Sequence, residues 1–204
     1  MEPLRLYLVR HAEVGERWRG RVYGDLDVEL SPRGEEQTLR FAQRFAAVPL
    51  DAVWSSALDR ARRAAAVVAA SRALPHRVEP ELREVHRGAW RERLWTEVEA
   101  ELPGVFDRFV AAPDELPPEG ESLRAVSNRA RGVLSRLRAQ HPSGHVALFA
   151  HSWIVRVLLC DALDLPLTHC NRLAAETASI AIVDYHRDHA ILQQMNLRDP
   201  HPLH

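Results

Sequence analysis

Arg10 and His11 put a guanidinium next to an imidazole at the end of an apolar run. The run over residues 4–9, interrupted by Arg5, predicts a buried β-strand that delivers both side chains at its carboxyl end. Ligands of open α/β sheets gather at that end. The pair suits phosphate, because arginine clamps its oxygens in a bidentate fork and histidine can attack phosphorus. Three further places bring reactive side chains to or beyond a strand. Ser55-Ser56-Ala57-Leu58-Asp59-Arg60-Ala61 puts Arg60 in the first turn of the next helix. Glu84 lies in Leu82-Arg83-Glu84-Val85, ahead of Gly88-Ala89-Trp90. His151-Ser152 follows the apolar strand over residues 146–150 and opens a helix, whose terminal amides favour an anion. Each residue alone reads as a solvated charge or a structural histidine. Two arginines, two histidines and one glutamate at strand ends together point to one phosphate pocket.

The elements that must position them alternate. Ser31-Pro32-Arg33-Gly34-Glu35 starts a helix, with Ser31 as N-cap and Pro32 at its first position. That helix is expected to run to about residue 47, with Leu39, Ala42 and Phe45 on its apolar face. A strand over 51–55 and a helix over 58–72 follow. Residues 82–85 read as extended, and residues 91–110 as helix broken at Pro103-Gly104. After a proline-rich, acidic loop comes a long helix over 122–140, then the strand before His151 and a helix over 154–163. Residues 178–185 and 190–195 read as an antiparallel hairpin turning at Arg187-Asp188. This rhythm predicts an α/β three-layer sandwich, a mainly parallel central sheet flanked by helices. Residues 91–121 break the rhythm and read as a small helical cap inserted into a single domain over 1–204.

Composition excludes other classes. The 204 residues carry 27 basic and 28 acidic side chains, a net charge of −1, so nothing points to a nucleic-acid partner. No run approaches the roughly 20 apolar residues of a membrane span, and no signal peptide is recognisable. Cys160 and Cys170 have neither metal-ligand spacing nor a disulfide pattern, which fits a reducing cytoplasm. The eleven histidines are scattered; His186, His189, His201 and His204 read as surface or tail residues, and no metal or cofactor is expected. The chain leaves the oligomeric state open.

Larger motif blocks enclose the reactive residues. Arg10-His11-Ala12-Glu13 precedes Gly24, Asp27, Leu30, Ser31, Gly34 and Gln37, in the pattern Gly-x-x-Asp-x-x-Leu-Ser-x-x-Gly-x-x-Gln. Residues 55–61 read Ser-Ser-x-Leu-x-Arg-Ala, and Leu82, Glu84, Gly88 and Trp90 read Leu-x-Glu-x-x-x-Gly-x-Trp. Gly120-Glu121-Ser122 and Ala150-His151-Ser152 complete the series. In this order, spanning nearly the whole chain, the blocks resemble the histidine phosphatase superfamily, also called the phosphoglycerate mutase-like family. The resemblance implies that His11 is the nucleophile of a phosphohistidine mechanism and that Glu84 donates the leaving-group proton. It also implies that Arg10, Arg60 and His151 hold the phosphoryl oxygens. Cations preorganised on those oxygens stabilise the transition state without a metal.

The departures carry information too. Ala12 and Ser152 replace family glycines, and Arg91-Glu92 follows Trp90 where Glu-Gly is usual. Arg17 and Tyr23 stand where phosphoglycerate mutases carry Asn and Ser or Thr, which favours a phosphatase over the isomerase. A non-catalytic phosphate-binding module is a third reading, and no catalytic residue is missing. Residues 20–27 resemble the alpha-ribazole phosphatase-like branch. Arg17, Tyr23 and Ser152 join Arg10, Arg60 and His151 as expected contacts to a small phosphomonoester. Trp18, Tyr23, Trp90, Trp95 and Trp153 flank the motifs; rings at the mouth would suit a bulky, partly apolar group better than 3-phosphoglycerate.

Overall fold

Alternating apolar residues give each central strand two buried faces. A computed structural model describes residues 2–198 and Leu203. β1 (Leu4–Arg10) leads through a short 3₁₀ turn (Glu16–Trp18) to α1 (Pro32–Arg44), β2 (Ala52–Ser56), α2 (Asp59–Arg72) and β3 (His76–Glu79). α3 (Trp95–Glu101), α4 (Val105–Ala111) and α5 (Leu123–Gln140) follow. β4 (Gly144–Ala150), α6 (Ser152–Ala162), β5 (Ile180–Tyr185) and β6 (Ala190–Leu197) complete the order.

One six-stranded sheet has the order β3-β2-β4-β1-β5-β6. β1, β2, β3 and β4 pair in parallel; β5 runs against both β1 and β6. Leu4, Leu6 and Leu8 of β1 face α5 and α6, where Val126, Val133 and Leu158 share their core. Tyr7 and Val9 face the opposite way and join Phe41, Phe45 and Val68 of the α1 and α2 layer. The expected three-layer α/β sandwich with a mainly parallel sheet is what forms. Truncating a fully buried residue such as Leu148 to alanine should cost about 2–5 kcal/mol.

Local differences from expectation have physical reasons. α1 buries Gly34, Thr38 and Phe41, with Phe45 just past its end, while Leu39 is exposed. The apolar stripe runs one residue out of the expected phase, because Thr38 packs as an apolar residue. The helix also ends at Arg44 rather than near residue 47. β3 escaped the sequence reading because His76-Arg77-Val78-Glu79 is a short, polar edge strand. The extended segment expected over 82–85 does not form a strand: Leu82 ends a 3₁₀ turn over 80–82, and Glu84 follows in an irregular segment. The hairpin forms as expected, closed by the His186 amide donating to the His189 carbonyl at 2.9 Å. His201 and His204 lie outside the described residues.

Residues 91–121 contain α3, α4 and the proline-rich loop. Trp90, Val98, Val105 and Val22 form a small separate apolar cluster, with Trp95 and Phe106 against it. Phe109 and Val110 of α4 instead join the main core. Among the described residues, no helix is long and apolar enough to cross a membrane.

Candidate active site

Parallel pairing brings three reactive strand ends together. Arg10 is in register with Ala150, and Ser55 with Phe149, so β1, β4 and β2 end side by side. His11 follows β1, His151 follows β4, and Ser56 closes β2. The His11 amide donates to the Ala150 carbonyl at 3.0 Å, and the two imidazole centroids lie 5.2 Å apart.

The loop after β1 is held by the second motif block. Ser31 accepts the Gly34 amide as N-cap of α1 and donates its hydroxyl to Glu13, at 3.0 and 2.8 Å. Gln37 accepts the Glu13 amide at 3.0 Å. Gly34 is required because a Cβ there would stand 2.0 Å from the Glu13 carbonyl oxygen. Asp27 accepts the Asp59 amide at 2.8 Å, so it caps the helix that presents Arg60.

His11 is 2% exposed. Its Nδ1 lies 2.7 Å from the Ala12 carbonyl oxygen. A carbonyl only accepts, so Nδ1 carries the proton and Nε2 keeps its lone pair. Burial, followed by the charges of Arg60 and Arg10, pushes the imidazole well below its ordinary pKa, so it is neutral at pH 7. His151 is fully buried and also held neutral, by burial first and then Arg60. Its Nε2 lies 2.8 Å from the Ser56 hydroxyl, which itself accepts the Leu58 amide at 3.2 Å.

Arg60 is fully buried. Its terminal nitrogens donate to the Leu26 and Gly24 carbonyls at 2.6 and 2.7 Å. Gly24 has φ +43°, and a Cβ there would meet the Val85 carbonyl at 2.5 Å. Arg10 donates through Nη1 to the Ala175 carbonyl at 2.6 Å. One donor-capable nitrogen remains enclosed without a partner on each of three side chains: Arg10 Nε, Arg60 Nε and His151 Nδ1. Native interiors seldom leave such groups unsatisfied. Three of them around one neutral imidazole make a cradle for an anion's oxygens.

Glu84 sits beside that cradle, 6% exposed. Its carboxylate accepts the Val85 amide at 3.0 Å and the Trp153 amide at 3.3 Å. Trp153 lies in the first turn of α6, so the amide end that the sequence offered to a ligand serves Glu84. A cleft of about 260 Å³ opens over His11, lined by Trp18, Arg19, Arg21, Tyr23, Trp95 and Thr177 among others. Tyr23 also lies under the Arg60 guanidinium, 5.3 Å from its ring centroid. A larger depression of about 840 Å³ lies around Pro3, His141 and Tyr185, at the far end of β1 and β4.

The structure therefore brings together Arg10, His11, Arg60, Glu84, His151 and Tyr23. Ser152 is the half-buried first residue of α6, next to His151. Arg17, beside Trp18 of the cleft lining, is exposed and turned onto Glu29 with a 2.7 Å ion pair. Trp90 is buried in the small cluster beneath the mouth rather than lining it. Sequence reasoning missed Arg129 and Arg87. Arg129 anchors the Glu84 segment from α5, and no spacing rule links residues 129 and 84. Arg87 precedes Gly88 in a motif block but resembles any solvated arginine until its burial is seen.

The chain matches the family model described as histidine phosphatase superfamily (branch 1) over residues 6–198. It is 31% identical over 195 residues to phosphoserine phosphatase 1 of Hydrogenobacter thermophilus, covering 95% of this chain and 92% of that protein. It is 32% identical over 183 residues to a probable phosphoglycerate mutase, GpmB, of Cronobacter sakazakii, covering 89% and 85%. Among solved structures, a mycobacterial glucosyl-3-phosphoglycerate phosphatase superposes with a TM-score of 0.87 at 27% identity, covering 94% of this chain and 98% of that one. The alpha-ribazole phosphatase of Shigella flexneri gives 0.83 at 25%, covering 95% and 96%. With a family match over nearly its whole length, the chain belongs to the histidine phosphatase superfamily.

Proposed function

We propose that the protein is a metal-independent phosphomonoesterase acting through a phosphohistidine on His11. The carrying observation is the set of enclosed, unpartnered nitrogens of Arg10, Arg60 and His151 around a neutral His11. The His11 Nε2 lone pair forms the N–P bond while the ester P–O bond breaks. Glu84 is the group that passes a proton to the departing alkoxide. In the second half, the Glu84 carboxylate takes a proton from water, whose oxygen attacks phosphorus and frees His11 and inorganic phosphate. The three cradle residues meet the charge that builds on the equatorial oxygens.

The alcohol half of the substrate meets Trp18, Tyr23 and Trp95 at the mouth. That lining suits a small phosphomonoester with an apolar body, of which alpha-ribazole phosphate is an example. Residues 91–121 would then act as a cap over the substrate, since Trp95 of α3 lines the cleft. Cys160 and Cys170 are buried free thiols, in keeping with a cytoplasmic setting.

The isomerase reading is carried by the mutase-named relative. It requires a phosphoenzyme that returns its phosphoryl group to the substrate. Turnover of 3-phosphoglycerate by the primed phosphoenzyme separates the two, since the isomerase returns the phosphoryl group to the substrate and the phosphatase releases it as inorganic phosphate. The phosphohistidine itself has its own test. Rapid acid quench with labelled p-nitrophenyl phosphate should trap an acid-labile adduct on the wild type, and stoichiometric phosphate release should follow. His11→Ala should lose at least a thousandfold in turnover while keeping its circular dichroism spectrum. Turnover near wild type in His11→Ala would refute the assignment.

A further inference from the structure

Ser56, the last residue of β2, is fully buried. Among the described residues, its hydroxyl has two partners. It accepts the Leu58 amide at 3.2 Å and lies 2.8 Å from His151 Nε2. A hydroxyl carries one hydrogen and two lone pairs. The Leu58 amide takes one lone pair, so the contact with His151 runs in one of two directions. Either the hydroxyl donates to a bare Nε2, or a protonated Nε2 donates to the second lone pair.

A count of hydrogens separates the two. His151 is held neutral, by burial first and then by Arg60, so its ring carries one N–H. With that hydrogen on Nε2, the Ser56 hydrogen is buried with no acceptor, and the Nδ1 lone pair is enclosed with no donor. Two buried groups then go unmet, and a lone pair is what His151 offers to an anion. With the hydrogen on Nδ1, Ser56 and Nε2 satisfy each other. The one enclosed group left over is an N–H donor, on a ring whose centroid is 5.2 Å from that of His11. Buried polar groups are rarely left unmet, which selects the second arrangement. The neighbouring ring is set by a bond of the opposite polarity: the Ala12 carbonyl accepts from His11 Nδ1 and leaves Nε2 bare. One ring thus offers a lone pair and the other an N–H.

We propose that Ser56 is a positioning residue that locks His151 in the Nδ1–H tautomer, so that His151 serves the phosphoryl group as a neutral, directed donor. The positive charge of the cradle then comes from Arg10 and Arg60, and His151 adds a preorganised N–H without a third charge to desolvate. The proposal rests on the phosphatase reading of the His11 site, and its first test does not depend on turnover.

Long-range nitrogen–proton correlation spectra of the isotope-labelled full chain at neutral pH read the tautomer, with the His151 signals assigned by their loss in His151→Ala. Nδ1 should resonate as a protonated nitrogen and Nε2 as a bare one. A protonated Nε2 in the wild type would overturn the proposal, whether or not any variant folds. In Ser56→Ala both nitrogens should move to averaged shifts; a ring that stays wholly Nδ1–H would show that the hydroxyl does not set it.

Kinetics give the second test. Ser56→Ala should lose roughly tenfold in kcat on p-nitrophenyl phosphate with little change in KM. Ser56→Thr keeps the hydroxyl and should recover most of that loss. In a His151→Ala background, Ser56→Ala should add no more than about a twofold loss, because the hydroxyl acts through the missing ring. An undiminished loss in that background would make Ser56 a mere support for the Leu58 amide and overturn the proposal. Failure of the wild type to turn over p-nitrophenyl phosphate would refute the phosphatase reading, while the ring spectra still decide what Ser56 does to His151.

Discussion

Arg129 of α5 grips Glu121 through Nε and Nη2, at 2.8 and 2.9 Å. The same guanidinium donates to the backbone carbonyls of Glu81, Arg83 and Glu84. Glu121 in turn accepts the His86 amide. One mostly buried ion pair therefore holds the irregular segment that carries Glu84. Gly120-Glu121-Ser122 thus has a structural role, in which Ser122 caps α5 while Glu121 orients Arg129.

Breaking the pair should harm both stability and turnover. Arg129→Ala leaves Glu121 buried beside three unmet carbonyls, and losing one partner of a buried pair costs about 3–5 kcal/mol. Displacing Glu84 by as little as an ångström should also lower kcat by roughly tenfold to a hundredfold on alkyl phosphates. Urea unfolding and steady-state kinetics check both. Arg129→Lys keeps the charge but not the fork and should fall between. An alanine variant with unchanged kinetics would show that Glu84 does not depend on this anchor.

Arg60→Ala and Glu84→Gln should differ in their substrate dependence. Arg60→Ala removes an enclosed donor from the cradle and should cost about 3–4 kcal/mol of transition-state stabilisation on every substrate. It also frees the Gly24 and Leu26 carbonyls, so its melting temperature is to be measured alongside. Glu84→Gln keeps the size but cannot supply a proton. Alkyl phosphates should suffer much more than p-nitrophenyl phosphate, whose leaving group needs little protonation. Equal losses on both substrates would remove Glu84 from the acid's role.

Turnover should withstand chelation. Among the described residues, no group of three or more His, Cys, Asp or Glu side chains is arranged to hold a metal ion. The cradle is built from arginines and a histidine. Activity after exhaustive EDTA treatment should stay within experimental error of the untreated enzyme, and vanadate should inhibit by taking five-coordinate geometry on His11. Restoration of a lost activity by zinc or magnesium would contradict the cradle chemistry.

Stability should fall as the pH drops below about 6.5. His11 and His151 are held neutral by burial and by Arg60, whereas in the unfolded chain each takes up a proton near 6.5. Below that pH the unfolded state binds more protons, until the lower folded values are reached. Each histidine then contributes up to about 1.4 kcal/mol per pH unit. Urea midpoints between pH 7 and 5 measure the slope. His151→Gln removes one of the two groups and should flatten it; a slope matching wild type would mean that His151 is not held neutral by the fold.

The strand–helix order apart from β3, the cap Ser31, and the identities of Arg10, His11, Arg60, Glu84 and His151 were legible in the chain. Those features are local: a capping serine or an apolar run carries its meaning in a few neighbouring residues. The tertiary structure decided the rest. Parallel register, a relation between segments some 140 residues apart, set His11 beside His151. The burial of Thr38 in place of Leu39 depended on which face α1 turned to the core. Arg17, Arg87 and Arg129 look alike as letters, and packing gave them different settings. Arg17 stayed in solvent with Glu29, Arg129 closed on Glu121, and Arg87 was enclosed by three rings. A charged side chain is set apart by what removes its water, and in this protein that comes from remote elements, not from the residues on either side.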